Sequence, residues 1–134
     1  MEIKQISVFL DNTAGRLGEV TRVLADAEIN LRAISLADTR DFGILRIIVD
    51  KWEAGLKALN DAGFTTRVTD VVALEIEDAP GSLARVMEFF SRSNVNIEYL
   101  YASLEGKTGK AARLLQIQEK KPNKKNKKTR FIPL

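Results

Sequence analysis

The sequence contains no histidine and no cysteine. A Ser-His-Asp triad, a cysteine nucleophile, a histidine general base and metal sites with imidazole or thiolate ligands are therefore excluded. Paired carboxylates and lysine Schiff bases stay possible, but no motif marks a pocket for them. We expect a protein that is not an enzyme and that needs neither a cofactor nor a metal ion.

Disulfides and long apolar runs are also missing. The lack of cysteine favours a reducing compartment. No apolar run approaches the roughly 20 residues that span a bilayer, and Met1-Glu-Ile-Lys carries mixed charge, unlike a signal peptide. The sequence therefore predicts a cytoplasmic protein without a membrane partner.

Positive charge is scarce over most of the chain. The 134 residues have a net charge of +3, but residues 1–106 hold 11 basic and 17 acidic side chains, a net charge of −6. Residues 107–134 hold 10 basic side chains and one acidic side chain, Glu119, a net charge of +9. The length suits one domain or two modules of roughly 60 to 70 residues. The main part of the chain is thus acidic, with a basic tail.

The sequence repeats itself at an offset of 66 residues. Four residues recur identically: Gly15 as Gly81, Leu17 as Leu83, Val20 as Val86 and Asn30 as Asn96. Apolar residues also recur in the same order, both where they alternate as in a strand and where they follow helical spacing. Two structurally similar modules are therefore expected.

The pattern of the first repeat predicts the order βαββαβ. Alternating apolar residues indicate strands at 3–10, 31–37, 44–49 and 65–70. Apolar residues at helical spacing predict one helix after Gly15 and a second helix after Asp50. In the second helix, Trp52, Leu56 and Leu59 are expected to face inward. Asp50 is expected to cap the second helix, and Gly63 to follow its end. Asn30 and Asn96 are expected to end the first helix of each repeat in the left-handed conformation.

This order predicts an α+β fold of the ferredoxin-like type, repeated in tandem. The first module spans residues 1–70. The second spans residues 71–118 and is incomplete, because after βαββ the apolar pattern gives way to a lysine-rich tail at residues 119–134. A missing fourth strand exposes the edge at 71–76, which predicts a homodimer or a less stable second module.

The turn motifs resemble those of the ACT domain, a small module that regulates amino-acid metabolism by binding amino acids. Asp78-Ala-Pro-Gly-Ser-Leu83 and Asn94-Val-Asn-Ile-Glu-Tyr99 carry the resemblance best. The first copy, Asp11-Asn-Thr-Ala-Gly-Arg-Leu17, has Ala14 where proline is usual. The resemblance covers about residues 3–111. It implies a stand-alone tandem ACT protein that binds a free amino acid, with an enzyme or regulator of amino-acid metabolism as a further partner.

The resemblance places the ligand in the loop between the first strand and first helix, at an interface with a second strand. Unpaired N–H groups of a helix N-terminus suit a carboxylate, a glycine permits close approach, and Asp or Asn accepts hydrogen bonds from the ammonium. The candidate ligand-binding residues are Asp11, Asn12, Thr13, Ala14, Gly15, Arg16, Leu17, Asp78, Ala79, Pro80, Gly81, Ser82 and Leu83, with Asn30 and Asn96 next.

Each candidate also has a purely structural interpretation. Asp and Asn before a helix commonly act as caps, and glycine shapes the turn. Leu17 and Leu83 fit core positions. Asn30 and Asn96 fit helix ends, and Arg16 fits a solvated first turn.

The tail at residues 119–134 leaves three interpretations open. It is a functional basic arm, a solvated disordered end, or the product of a shifted reading frame, since lysine and asparagine share A-rich codons. Resequencing the coding DNA tests the third.

A nucleic-acid-binding protein is the alternative function, because ferredoxin-like sheets also carry RNA-recognition modules and the tail is basic. The acidic body and the strand Gly43-Ile-Leu-Arg-Ile-Ile-Val49, which lacks aromatic residues, argue against it.

Overall fold

The computed structural model describes residues 2–11, 13–38, 41–77, 79–102 and 113–119. The elements are β1 (Glu2–Asp11), α1 (Arg16–Asp26), β2 (Leu31–Asp38), β3 (Phe42–Val49), α2 (Trp52–Asp61), β4 (Thr65–Ile76), α3 (Ser82–Arg92), β5 (Ile97–Ala102) and β6 (Arg113–Glu119). None of these helices is long and apolar enough to cross a membrane. The interpretations of the tail concern residues 120–134, which lie outside the described residues.

The first compact unit, Lys4–Thr69, has the predicted βαββαβ order. Its strands follow the order β2-β3-β1-β4, and β1 and β2 both pair antiparallel with β3. Ile6, Val8 and Leu45 are completely buried beneath α1 and α2 with Leu24 and Leu59. Trp52 and Leu56 pack against this core as the helical spacing predicts. The ferredoxin-like α+β fold is confirmed.

The second unit combines Met1–Ile3 with Asp70–Leu134. Its strands follow the order β4-β6-β5, and β6 pairs antiparallel with both β4 and β5. The buried core is small, with Val72 and Leu74 of β4 packed against Val86 and Phe90 of α3. The described part of this unit contains one helix, whereas the first unit contains two.

The helices end in the same backbone motif, but not at the predicted residues. After α1, the N–H of Glu28 donates to Ala25 and that of Ile29 to Leu24, and α3 repeats this pattern with Asn94 and Val95. Glu28 and Asn94 hold the left-handed conformation, with φ of 60° and 61°. The expectation that Asn30 and Asn96 stop the helices is wrong, because the Schellman motif closes two residues earlier. Gly63, with φ of 92°, follows α2 as expected.

Replacing Glu28 with glycine is expected to stabilise the protein by about 1 kcal/mol, because an L-residue pays a steric penalty in this conformation that glycine avoids. Thermal unfolding followed by circular dichroism measures the change. Asn94→Gly is the matched control and should gain less, since asparagine tolerates the left-handed region. A lower melting temperature for Glu28→Gly would contradict this account of the helix end.

The helices also begin without the Asp or Asn side-chain caps that the sequence suggested. The N-cap residues of α1 and α3 are Gly15 and Gly81, with φ of 92° and 89°, and neither helix has a side-chain cap. The N-cap of α2 is Lys51, so the expectation for Asp50 is wrong. Instead, Asp50 accepts a hydrogen bond at Oδ1 from the Asn30 N–H at 3.1 Å, and its own N–H donates to the Asn30 carbonyl. Asp50 thereby fixes the start of β2.

Candidate functional site

A cleft of about 350 Å³ opens beside the loop between β1 and α1. The strand register explains its position. Leu10 pairs with Gly43 across β1 and β3, and Gly43 pairs with Asp38 across β3 and β2. The end of β1, the start of β3 and the end of β2 therefore meet at the edge from which the loop to α1 departs. The lining residues are Leu10, Asp11, Thr13, Arg16, Leu17, Leu36, Ala37 and Gly43.

One wall of the cleft is apolar and open to solvent. Leu17, in the first turn of α1, is 38% exposed, and Leu36, near the end of β2, is 53% exposed. The equivalent of Leu17 in the second unit, Leu83, is 42% exposed. The expectation that Leu17 and Leu83 are core residues is wrong. In both helices the apolar residues that pack in the core begin about one turn later, at Val20 in α1 and at Val86 in α3, and both of these are buried.

The polar side of the cleft is organised by Arg16. Its Nε lies 2.9 Å from Oδ1 of Asp11, and its Nη1 donates to Glu19. The guanidinium also stacks over the Phe64 ring at 4.7 Å from the centroid, a favourable cation–π arrangement. The hydrogen bond to Glu19 and the charge of Asp11 raise the pKa of Arg16. Arg16 is therefore positioned by the protein itself, rather than free to swing in solvent.

The first turn of α1 presents backbone donors next to this cleft. The N–H of Arg16 donates to the Thr13 carbonyl and that of Glu19 to the Gly15 carbonyl. The N–H groups of Leu17 and Gly18 come between them, and because the N-cap is a glycine no side chain caps them. A helix N-terminus of this kind attracts negative charge through its N–H groups and dipole.

The asparagines that precede β2 and β5 lie away from the loops. Asn30 precedes β2, whereas the cleft is formed by Leu36 and Ala37 near the end of that strand. Seven residues of extended strand separate Asn30 from Ala37, a distance of about 23 Å. Asn96 is likewise placed before β5 (Ile97–Ala102). The structure does not bring Asn30 together with Asp11 or with residues 13–17.

The second repeat is only partly described at the corresponding loop. Gly81 repeats the conformation of Gly15, Ala79 and Pro80 are exposed, and Ser82 is 5% exposed. The Ser82 hydroxyl accepts a weak hydrogen bond from Arg85 at 3.4 Å. Asn12 and Asp78 lie outside the described residues. Across the residues that the structure describes, no three acidic side chains cluster as they would around a metal ion.

A family sequence profile described as the ACT domain pair matches residues 1–127. This match covers nearly the whole chain, including both repeats and both turns. The chain belongs to the ACT domain family. Within that family it matches the paired form, which agrees with the 66-residue repeat and with the ferredoxin-like order of the first unit.

Several solved structures share the fold of this chain. Protein BT0572 from Bacteroides thetaiotaomicron shares 42% sequence identity with this ACT chain, with a TM-score of 0.81 over 90% of this chain and 81% of that one. The regulatory subunits of aspartate kinase from Thermus thermophilus and Thermus flavus share the fold at 17% identity, with TM-scores of 0.62 and 0.60. They cover 85% and 87% of this chain, and 80% and 84% of their own. A comparison with curated protein sequences gave no match.

Sequence reasoning missed the part of the cleft in this ACT module that β2 and β3 contribute. Leu36, Ala37 and Gly43 are separated from the loop by more than 18 residues, and only the β-sheet register brings them to it. Gly43 could have drawn attention, because an added Cβ there would lie 3.5 Å from Leu36. No local motif marks Leu36 as a wall of the cleft.

Proposed function

We propose that this ACT protein is a non-catalytic regulator that binds a free amino acid in the cleft between the β1–α1 loop and the end of β2. The observation that carries the proposal is the combination in one place of uncapped helix N–H groups, a carboxylate and an apolar wall. These three features complement the carboxylate, the ammonium group and the side chain of an amino acid.

Each group has an assigned counterpart. The ligand carboxylate accepts hydrogen bonds from the N–H groups of Leu17 and Gly18, which no side chain caps. The ammonium group lies toward Asp11, whose carboxylate is exposed. Because Asp11 already pairs with Arg16, the ligand adds a second cation to that carboxylate and a second anion beside the guanidinium. The ion pair of Asp11 and Arg16 therefore offers one partner to each charge of a zwitterionic amino acid.

The apolar wall favours an uncharged, aliphatic ligand side chain. Leu17 and Leu36 are both exposed in the described structure, and covering them removes apolar surface from water, at about 25 cal/mol per Å². A charged side chain at this wall would lose hydration without gaining a partner. Aliphatic amino acids are therefore expected to bind more tightly than aspartate or lysine.

The proposed signal is an allosteric change in association between copies of the chain. β2 is the outer strand in the order of the first unit, and an outer strand offers unpaired backbone groups to another chain. Leu36 lies on that strand and also lines the cleft. A homodimer formed along β2 would close the cleft over the ligand, so binding and association would strengthen each other.

Isothermal titration of the full chain against each of the twenty amino acids tests the proposal, together with analytical ultracentrifugation with and without the ligand that binds. The expected result is binding of one or a few aliphatic amino acids, with a shift toward the dimer in their presence. Failure of all twenty at millimolar concentration with a folded sample would reject the amino-acid sensor.

Changing Leu17 to glutamate is expected to weaken amino-acid binding at least about tenfold with little loss of stability. A carboxylate in the first turn interacts favourably with the helix dipole, but it repels the ligand carboxylate and removes the apolar wall. Titration calorimetry and thermal unfolding on the same sample separate the two effects.

Leu83→Glu is the matched control, since Leu83 holds the same position in α3 and has similar exposure. Unchanged affinity in Leu83→Glu and reduced affinity in Leu17→Glu would place the site in the first unit. The opposite pattern would move it to the second.

A further inference from the structure

Arg16 is bound by two carboxylates that lie in different places. Asp11 lines the amino-acid cleft and accepts a hydrogen bond from Nε of Arg16 at 2.9 Å. Glu19 lines a separate depression of the surface together with Val23 and Phe64, and it accepts a hydrogen bond from Nη1 of Arg16 at 2.5 Å. Glu19 therefore acts on the arginine from outside the cleft.

These contacts occupy hydrogen-bond donors that a carboxylate in the cleft would need. An arginine binds a carboxylate most strongly through two parallel N–H groups on a pair of nitrogens, either Nε with Nη2 or Nη1 with Nη2. In Arg16 the first pair already donates to Asp11 through Nε, and the second already donates to Glu19 through Nη1. The guanidinium also lies over the ring of Phe64, which is 7% exposed and packs in the core. A side-chain carboxylate of a ligand cannot form both hydrogen bonds to Arg16 without displacing a carboxylate of the protein.

The formal charge of this cluster also disfavours an acidic ligand. Asp11 and Glu19 contribute two negative charges and Arg16 one positive charge, which leaves the cluster at −1. The next basic residue of α1, Arg22, pairs with Asp26 at 3.6 Å, so this second pair adds no net charge. An amino acid with an uncharged side chain is a zwitterion without net charge, whereas aspartate and glutamate carry −1. Like charges repel, so the cluster discriminates against the acidic amino acids.

The second repeat shows that the turn forms without a carboxylate at this position. The residue equivalent to Glu19 is Arg85, and the residue equivalent to Arg16 is Ser82, each 66 positions later. The helix α3 nevertheless begins as α1 does, with Gly81 in the left-handed conformation at φ of 89°. The start of the helix does not require the carboxylate, which leaves the contact with Arg16 as its role in α1.

We propose that Glu19 determines the ligand specificity of the cleft, because it holds Arg16 and compensates its charge so that amino acids with an acidic side chain are rejected. This inference rests on the proposed binding of an amino acid in that cleft. It assigns the rejection of aspartate and glutamate to an ion pair, in addition to the apolar wall of Leu17 and Leu36. Glu19 acts through Arg16 and is therefore a positioning residue.

Glu19→Gln tests the proposal, because glutamine keeps the size of the side chain and removes its charge. The full chain and the variant are titrated by calorimetry with aspartate and with the tightest-binding of alanine, valine, leucine and isoleucine. In Glu19→Gln the affinity for aspartate relative to the aliphatic amino acid is expected to rise about fivefold, the effect of an exposed ion pair at its upper end. The rise should shrink as salt is raised, because salt screens exposed charges.

Glu53→Gln is the matched control. Glu53 is the acidic residue in the first turn of α2, as Glu19 is in α1, so the variant loses the same charge at the same place in a helix. It should leave the ratio of affinities unchanged. Both residues are exposed, so both variants should remain folded, which circular dichroism checks.

A spectroscopic measurement shows whether Glu19 acts through the arginine. The NMR signal of the Arg16 Nε–H group is assigned by its absence in Arg16→Lys. Adding aspartate should shift this signal in Glu19→Gln more than in the unmodified chain, because only the variant leaves Nη1 without a charged partner.

The possible failures are distinguishable. An unchanged ratio in Glu19→Gln, with the aliphatic amino acid still bound, would reject the role of Glu19 and leave amino-acid binding standing. An equal rise in Glu53→Gln would assign the effect to the net charge of the chain, and an Arg16 signal that does not respond would show that Glu19 does not act through Arg16. Either result overturns the inference. If the unmodified chain binds none of the twenty amino acids, the proposed function itself fails.

Discussion

Replacing Phe90 with alanine is expected to lower the free energy of unfolding of the second unit by about 3–5 kcal/mol, the usual cost of removing a buried phenylalanine ring. Phe90 is 2% exposed and is the largest of the four buried residues that form this core with Val72, Leu74 and Val86. A domain is typically stable by only about 5–15 kcal/mol. The substitution should therefore remove a large share of the stability of this unit.

The aromatic residues of the chain allow each unit to be followed separately. The single tryptophan, Trp52, lies in the first unit, and both tyrosines, Tyr99 and Tyr101, lie in β5 of the second. In urea unfolding followed by tyrosine absorbance, Phe90→Ala should lower the urea concentration at the midpoint of the transition. Tryptophan fluorescence should report a smaller change.

Leu24→Ala is the matched control for Phe90→Ala. Leu24 is the equivalent residue of α1, is 1% exposed and packs in the core of the first unit. Leu24→Ala should lower the free energy of unfolding of the first unit by about 2–5 kcal/mol. The change should appear mainly in the transition followed by Trp52 fluorescence. A loss below about 1 kcal/mol for Phe90→Ala would show that α3 is not held to β4 by this ring.

Replacing Gly15 with valine is expected to destabilise the first unit by about 2–3 kcal/mol through the backbone alone. Gly15 has φ of 92°, a conformation that β-branched residues almost never adopt. An added Cβ would meet no atom within 4 Å, so a steric clash with neighbours is not the cause. Relaxation of the turn would also redirect the N–H groups of Leu17 and Gly18, so amino-acid binding should be lost.

Gly18→Ala provides the contrast. Gly18 lies within α1 and also has open space around its Cβ position, but its backbone is helical. Alanine there is expected to stabilise the helix by about 0.5–1 kcal/mol. Chemical denaturation of both variants, followed by Trp52 fluorescence, makes the comparison. Equal effects of Gly15→Val and Gly18→Ala would contradict the conformational explanation.

Much of the fold could be predicted because its elements are encoded by local periodicity. Alternation places β1 at Ile6, Val8 and Leu10, and the 3.6-residue period places Val20 and Leu24 on the inner face of α1. The 66-residue offset then transfers these assignments to Val86 and Phe90. Predictions failed at the helix ends, where Glu28 rather than Asn30 takes the left-handed conformation. Residue preference is a weak guide there, because the position is fixed by where the last backbone hydrogen bonds close.

In the candidate site, too, one part could be predicted from the sequence and another part could not. The loop at Gly15 and the first turn of α1 follow from a contiguous motif, and its glycines and polar residues could be recognised without coordinates. Leu36, Ala37 and Gly43 reach the cleft only through strand register, and the pairing of Arg16 with Asp11 and Phe64 depends on how α1 lies on the sheet.

By itself, the sequence determined the repeated α+β order, the net negative charge of residues 1–106 and the turns that start α1 and α3. Each of these can be read from the chain without knowledge of contacts between distant segments. The tertiary structure decided that Leu17 faces solvent, that Asn30 lies away from the cleft, and that Arg16 stacks on Phe64. These features depend on contacts between distant segments. Such contacts are set by packing and hydrogen-bond register, which no local pattern specifies.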